Sequence, residues 1–222
     1  MRYFPLGESA LTVDFGRGLS NELNDRALTL TQHFAAAPFP GLIEAVSAYS
    51  SVTLFYEVAV VRSAYPEQPS ASAAVLSLAR NAVEELPDNR PGSDRLIEIP
   101  MIVSDDTSPD LRSMSEQTGI VTDEIIEIFV SRTYRVYMLG FLPGFAYMGE
   151  VDERITAPRL STPRTRVPKG SVGIAGKQSG IYPLDSPGGW NIIGRTDLTM
   201  FDPERAEPCL LRAGDEVRFV RQ

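Results

Sequence analysis

The spacing of hydrophobic residues changes along the chain, and it predicts two kinds of architecture. In the first half, alternation of apolar and polar residues predicts three strands, over residues 10–15, 42–48 and 51–56. Apolar residues spaced by three and four predict two helices, over residues 21–37, with Ser20 as the N-cap, and over residues 73–86. The order strand, helix, strand, strand, helix indicates a small α+β domain.

The second half opens with longer elements and then continues as short strands. We predict a strand over residues 95–103, a helix over 110–117 with Ser108 as N-cap and Pro109 at its first position, and a helix over 123–131 capped by Thr122. A strand over residues 134–140 follows. Beyond it come only short strands, near residues 171–176, 180–182, 191–195, 198–201 and 216–220. Many short strands joined by Gly- and Pro-rich turns indicate a closed, mostly-β barrel.

The segment between these halves predicts a domain boundary. Residues 87–94 read PDNRPGSD and are polar, with two prolines and one glycine. Exposed Pro- and Gly-rich segments commonly join domains. We therefore expect an N-terminal α+β domain over residues 1–90 and a barrel domain over residues 91–222.

Composition excludes several classes of function. His33 and Cys209 are the only histidine and the only cysteine, so we expect no metal site and no Ser-His-Asp or Cys-His catalytic centre. The net charge of -8 argues against nucleic acid or an anionic membrane as the main partner. The N-terminus has no long apolar core, and the chain has no run of about 18 apolar residues. We therefore expect a cytoplasmic protein.

Candidate chemistry is concentrated in residues 140–202, which are rich in Gly, Pro, Arg and aromatic residues. Arg164 and Arg166 alternate in an extended segment and so project to the same side, where their guanidinium groups suit a carboxylate or a phosphate. The predicted anion site comprises Arg164, Arg166, Lys169, Gln178 and Arg195. The alternative is that these arginines are structural and tie loops together.

Aromatic residues in the same stretch predict a pocket for a small ligand. Apolar walls with phenolic groups are typical of such pockets, and consecutive glycines allow the backbone to approach a ligand closely. The predicted pocket residues are Phe141, Pro143, Phe145, Tyr147, Tyr182, Ser186, Gly188, Gly189 and Trp190. Core packing at the end of a barrel is the alternative. Asp185 is the only acid in residues 155–196 and is the candidate general base, with a salt bridge to an arginine as its alternative.

Several long motifs carry a family resemblance. GFLPGFAYMG at residues 140–149, TPRTRVPKGSVGIAGKQSGIYPLDSPGGWNIIGRT at 162–196 and the closing FDP and AGDEVRFV are similar to the KipI/PxpB family. The opening YFPLGESALTVDFG also resembles the start of that family, so the resemblance covers essentially the whole chain. Members are known as the 5-oxoprolinase subunit designated B, as allophanate hydrolase subunit 1, or as carboxyltransferase domain C/D subdomain 1.

The resemblance implies an α+β N-terminal domain followed by a mostly-β cyclophilin-like barrel. It implies a subunit, inactive alone, of an ATP-dependent complex that opens 5-oxoproline, a substrate with a carboxylate, to glutamate. ATP is then used by the complex, without an assignment to one of its chains. The implied partners are a homologous carboxyltransferase-like subunit of the PxpC/KipA type and a LamB/YcsF-type subunit. The alternative that the resemblance implies is a KipI-like inhibitor of a sensor histidine kinase. Prolyl isomerase activity would rest on the barrel alone, and a fold does not imply a function.

The sequence departs from the family pattern in two places. Where the family usually has a YGG-type turn followed by GPDL, residues 103–111 read VSDDTSPDL. Where the helix before the next strand often ends in histidine, Phe129 and Val130 are present. Both departures flank the predicted barrel.

Overall fold

The structure, a computed structural model, describes residues 1–87 and 95–222 and divides the chain into two units. The units are Met1–Gly92 and Ser93–Gln222, and each has its own hydrophobic core. The predicted junction between residues 90 and 91 lies outside the described residues. The domain bounds therefore stay a prediction.

Four strands and three helices form the first unit. They are β1 (Arg2–Pro5), β2 (Ala10–Asp14), α1 (Asn21–Ala36), β3 (Leu42–Ala48), β4 (Ser51–Tyr56), α2 (Val58–Ala64) and α3 (Ala71–Glu84). The strands make one antiparallel sheet in the order β1, β2, β4, β3. Leu54 and Tyr56 of this sheet are fully buried in one cluster with Leu30 of α1 and Val75 of α3.

Local capping explains where these helices begin. The hydroxyl of Ser20 accepts a hydrogen bond from the Leu23 N–H, as predicted for α1. The hydroxyl of Ser70 accepts one from the Ala73 N–H at 3.0 Å, so α3 begins at Ala71, two residues earlier than predicted. Helix α2 was missed, because its run of valines favours a strand.

The second unit is built mainly of short strands. Its elements are β5 (Leu96–Met101), α4 (Leu111–Thr118), α5 (Thr122–Val130), β6 (Thr133–Leu139), β7 (Ala146–Gly149), β8 (Arg164–Val167), β9 (Ser171–Ala175), β10 (Gln178–Ile181), β11 (Ser186–Gly188), β12 (Asn191–Arg195) and β13 (Glu216–Arg221). Seven strands pair in the order β12, β9, β10, β7, β6, β13, β5, while β8 and β11 form a separate two-stranded sheet. Only β13 and β5 pair in parallel among these described strands.

Backbone hydrogen bonds join the two edges of the seven-stranded sheet. Ile102, directly after β5, exchanges bonds of 2.8 and 3.0 Å with Arg195, the last residue of β12. The sheet thus nearly closes into a barrel, whose core includes Met114 of α4 and Phe129 of α5. The predicted fold class, an α+β domain followed by a mostly-β barrel domain, is confirmed.

Two predicted caps and one predicted strand were wrong. Helix α4 begins at Leu111 with Asp110 as its N-cap, and Ser108 lies buried ahead of it. Thr122 is the first residue of α5, which Val121 precedes as N-cap. Residues 198–201 form no strand, because only Phe201 makes a bridge, to Cys209. No helix within residues 1–87 and 95–222 is long and apolar enough to cross a membrane.

Gly170 occupies the tightest backbone crossing of the barrel domain. It lies between β8 and β9 with φ at +81°, a left-handed conformation that favours glycine. Its N–H donates to the Tyr182 carbonyl at 2.7 Å, and its carbonyl accepts from the Thr196 N–H at 2.9 Å. A Cβ atom at this position would overlap the carbonyl oxygen of Thr196. Only glycine allows the three segments to meet here.

We predict that Gly170→Ala lowers the free energy of unfolding of the barrel domain by about 3–5 kcal/mol, from backbone strain and overlap together. Gly176→Ala is the matched control, because Gly176 also has positive φ, at +58°, but open space where its Cβ would stand. Strain alone gives that control a cost of about 1–2 kcal/mol. Unfolding in urea, monitored by the fluorescence of Trp190, the only tryptophan, measures the free energy of unfolding of each variant. Equal losses in the two variants would contradict the prediction.

Candidate functional site

A cavity of about 220 Å³ opens on the barrel domain among the turns that join its strands. Five of its ten lining residues are aromatic, and a single side chain among them carries a charge. The lining residues are Phe141, Phe145, Tyr147, Arg159, Pro163, Tyr182, Pro187, Gly188, Gly189 and Trp190. None of them is acidic, and none is a serine, cysteine or histidine.

A tight turn between β6 and β7 supplies two of the aromatic residues. The N–H of Phe145 donates to the carbonyl of Leu142 at 3.0 Å, with Pro143 and Gly144 between them. The φ of Gly144 is +81°, as the third position of a type II turn requires. Phe141, just before this turn, has φ at +71° and is 60% exposed at the cavity. Positive φ is uncommon for a bulky residue and clusters at functional sites.

Phe145 is the centre of the aromatic wall. It is 1% exposed, and its ring meets the rings of Tyr147, Tyr182 and Trp190 edge to face, with centroids 4.8, 5.3 and 5.5 Å away. Such pairs favour one fixed geometry. Gly188 fits against Tyr182, because a Cβ there would overlap the phenol oxygen. The wall is therefore set by packing before any ligand arrives.

Arg159 contributes the positive charge at the cavity. Its guanidinium carbon lies 6.0 Å from the centroid of the Trp190 ring, within the range of a cation–π contact. The side chain is exposed, and it forms no salt bridge with any residue that the structure describes. Burial raises the pKa of the nearby Tyr182, against the opposing effects of a backbone hydrogen bond with Trp190 and of the Arg159 charge. The phenol therefore stays neutral at physiological pH.

The structure brings together seven of the nine predicted pocket residues. Pro143 shapes the turn but does not line the cavity, and Ser186 is buried with its hydroxyl donating to the Pro187 carbonyl at 3.2 Å. The residues that sequence reasoning left out of the pocket are Arg159, Pro163 and Pro187. Pro163 and Pro187 stand beside predicted site residues. Arg159 opens the basic stretch, residues 159–177, which has five Arg or Lys residues and no Asp or Glu. Proximity in sequence was therefore the available signal.

The predicted anion residues are not gathered into one site. Arg164 donates to Asp110 at 2.6 Å and to the Trp190 carbonyl at 3.4 Å, whereas Arg166 donates to Asp185 at 2.6 and 3.0 Å. The remaining predicted members are Lys169, which is exposed, and Gln178 and Arg195, which are half-buried. None of the five lines the cavity. The structural alternative describes Arg164 and Arg166 better than an anion site does.

Asp185 is held as a salt-bridge partner. The backbone N–H of Lys169 donates to it at 2.8 Å, and this bond together with the Arg166 guanidinium lowers the pKa of its carboxyl group. A general base works best with a pKa near the operating pH, so this environment does not suit the predicted role. Among the described residues there is also no group of acids, histidines or cysteines that could hold a metal ion.

Asp110 is the structural anchor that sequence reasoning missed. It is 6% exposed, and its carboxylate accepts hydrogen bonds of 2.6 Å from the Ile192 N–H and from Arg164. Its own N–H donates to the Ile192 carbonyl at 3.2 Å. The residue therefore ties the start of α4 to β12 and, through Arg164, to β8. The prediction used Asp110 only as an ordinary residue of a helix.

We predict that Asp110→Ala lowers the free energy of unfolding by about 3 kcal/mol, because it leaves a partly buried guanidinium and a buried N–H without their partner. We also expect the emission of Trp190 to move to longer wavelength, since Arg164 then no longer holds the Trp190 carbonyl. Asp185→Ala removes a similar but exposed Arg–Asp pair and should leave stability unchanged within error. Urea titration with fluorescence detection measures both effects. If the two variants lose the same stability, Asp110 has no anchoring role.

The two units together correspond to a carboxyltransferase-type protein region. The sequence profile of the carboxyltransferase domain, subdomain C and D, matches residues 1–211, and the chain belongs to that family. The 5-oxoprolinase subunit designated B in Bacillus subtilis is 40% identical over 97% of this chain and 90% of that protein. Its namesake in Escherichia coli O157:H7 is 37% identical over 100% of this chain and 96% of that protein. These matches confirm the resemblance carried by the sequence motifs.

The family also includes longer chains. The crystal structure of TTHA0988 superposes with a TM-score of 0.80 and 38% identity over 96% of this chain. The present chain spans only 40% of the length of that solved chain. The domain pair described above thus occurs in TTHA0988 as one part of a larger polypeptide.

Proposed function

We propose that this chain is a subunit of an ATP-dependent 5-oxoprolinase, in which 5-oxoproline is opened to glutamate. The observation that carries the proposal is the 40% identity, over 97% of the chain, to a protein named as a subunit of 5-oxoprolinase. The partners in this proposal are a homologous carboxyltransferase-like subunit of the PxpC/KipA type and a LamB/YcsF-type subunit. The expected cytoplasmic location stays a prediction.

The cavity supports a binding role for this chain. Its wall offers aromatic surface, one guanidinium and two tyrosine hydroxyl groups, but no serine, cysteine or histidine and no carboxylate base. Amide opening needs an activated carbonyl and an attacking water, and these lining side chains supply neither. This is why we propose that the chain is inactive alone: it holds and orients a substrate whose chemistry other subunits complete.

The cavity lacks the features of a usual ATP site. The sequence has no glycine-rich phosphate loop, and Arg159 is the only charged residue among those that line the cavity. We therefore assign the nucleotide to a partner subunit. Bound there, ATP would activate the substrate carbonyl for attack by water, so that the C–N bond of the ring breaks. The occurrence of this domain pair within the longer TTHA0988 chain supports a role that needs further protein.

The test is reconstitution. We predict ATP-dependent glutamate release from 5-oxoproline when the chain is mixed with both partner subunits, and none from the chain alone. Phe141→Ala should lower kcat/KM of the complex about tenfold, equivalent to about 1.4 kcal/mol of lost binding to the aromatic wall. Leu198→Ala is the matched control, because Leu198 is also an exposed apolar side chain, at 39%, but does not line the cavity.

Two results would contradict the proposed function. One is an inactive mixture of the three subunits when each is folded by circular dichroism. The other is full activity of the chain without partners. If kcat/KM is unchanged in Phe141→Ala, the chain can still be a subunit of the complex, but the cavity is not the substrate site.

A further inference from the structure

We propose that the cavity selects small flat carboxylates, with Arg159 binding the carboxylate and the Trp190 ring supporting the flat face of the ligand. The inference rests on the proposed function and narrows it to a substrate class and to one specificity residue. Neither residue role follows from the family match alone.

The charges around the cavity single out Arg159. Arg164 and Arg166 each have an aspartate within 2.6 Å, so their positive charges are already compensated. Arg159 has no such partner in the described parts of the chain, and it is the only charged residue that lines the cavity. Because the side chain is exposed, it can turn its planar fork toward a carboxylate without a large desolvation cost.

The walls define the shape of the ligand. Trp190 is 5% exposed and is fixed by its edge contacts with Phe145 and Tyr147, at 5.5 and 5.9 Å. Pro163 and Gly189 border the same space without polar side chains. A small ring lying against the indole would place a carboxylate substituent near a guanidinium 6.0 Å from that indole. The volume of about 220 Å³ is enough for a molecule of this size.

The same arrangement discriminates substrate from product. Ring opening converts the neutral amide nitrogen of 5-oxoproline into an ammonium group and adds a second carboxylate. The cavity wall has no acidic residue to receive the ammonium group, and it carries the positive charge of Arg159. A cationic group there would be desolvated without a partner, which is unfavourable. We therefore expect glutamate to bind more weakly than 5-oxoproline.

Trp190 makes the inference directly measurable, since it is the only tryptophan and lies in the cavity. The full chain is titrated with 5-oxoproline, with 2-pyrrolidone, which has the same ring without the carboxylate, and with glutamate. We expect a saturable change of fluorescence with 5-oxoproline, and binding at least tenfold weaker for the other two. Isothermal calorimetry gives the same affinities independently of the fluorophore.

Three variants separate the contributions. Arg159→Ala should weaken 5-oxoproline binding at least tenfold and leave the weak affinity for 2-pyrrolidone unchanged, because only the carboxylate contact is lost. Arg159→Lys should recover part of the affinity. Arg166→Ala is the control, since it removes an exposed arginine of the same basic stretch that does not line the cavity. Thermal unfolding confirms that each variant is folded.

The outcomes distinguish this inference from the proposed function. No saturable change with 5-oxoproline in the wild-type chain, or equal binding by wild type and Arg159→Ala, overturns the inference. If the reconstituted complex is active at the same time, the proposed function survives. Conversely, 5-oxoproline binding can depend on Arg159 while the folded complex releases no glutamate. That result supports the carboxylate site and contradicts the proposed reaction.

Discussion

The carboxylate of Asp110 joins three segments of the barrel domain that are distant in sequence. They are the start of α4, strand β8 and strand β12. It accepts hydrogen bonds from the Ile192 N–H at the start of β12 and from Arg164 at the start of β8. Arg164 in turn donates to the carbonyl of Trp190. A buried carboxylate is costly unless it is paired and hydrogen-bonded, and here each oxygen of Asp110 accepts a hydrogen bond. Removing one partner of such a buried pair is therefore strongly destabilising. The small sheet of β8 and β11 is thereby fixed against the barrel.

The cavity is a consequence of that attachment. Pro163 precedes β8, Gly188 ends β11 and Trp190 precedes β12, so the position of three wall residues depends on the Asp110 and Arg164 pair. A type II turn sets the position of Phe145, whose ring contacts Trp190. Pairing also decides where positive charge is available. Arg164 and Arg166 each form a salt bridge with an aspartate, whereas Arg159 lines the cavity and forms no salt bridge with any described residue. Arginines of the same stretch therefore have different roles: Arg164 and Arg166 stabilise the structure, and Arg159 is available to bind a ligand.

Sequence reasoning succeeded where periodicity and local capping decide the structure. Strands β3, β4 and β12 have the predicted bounds, and seven of the nine predicted pocket residues line one cavity, whose binding role stays a prediction. It failed where tertiary contacts override local preference. The carboxylate of Asp110 is bound by β8 and β12 and not by the helix that it precedes, a partnership 54 and 82 residues distant in sequence. Alternation likewise predicted that Arg164 and Arg166 face the same side, but not which aspartate each of them meets.

In the proposed complex, the aromatic cavity beside Arg159 holds a small carboxylate substrate while partner subunits supply the chemistry. A crystal structure of the full chain with 5-oxoproline would show where this substrate binds. We predict a ligand in the cavity, with its carboxylate within hydrogen-bond distance of the Arg159 guanidinium and its ring against Trp190. A ligand bound instead beside Arg166 and Lys169, with the cavity empty, would contradict it.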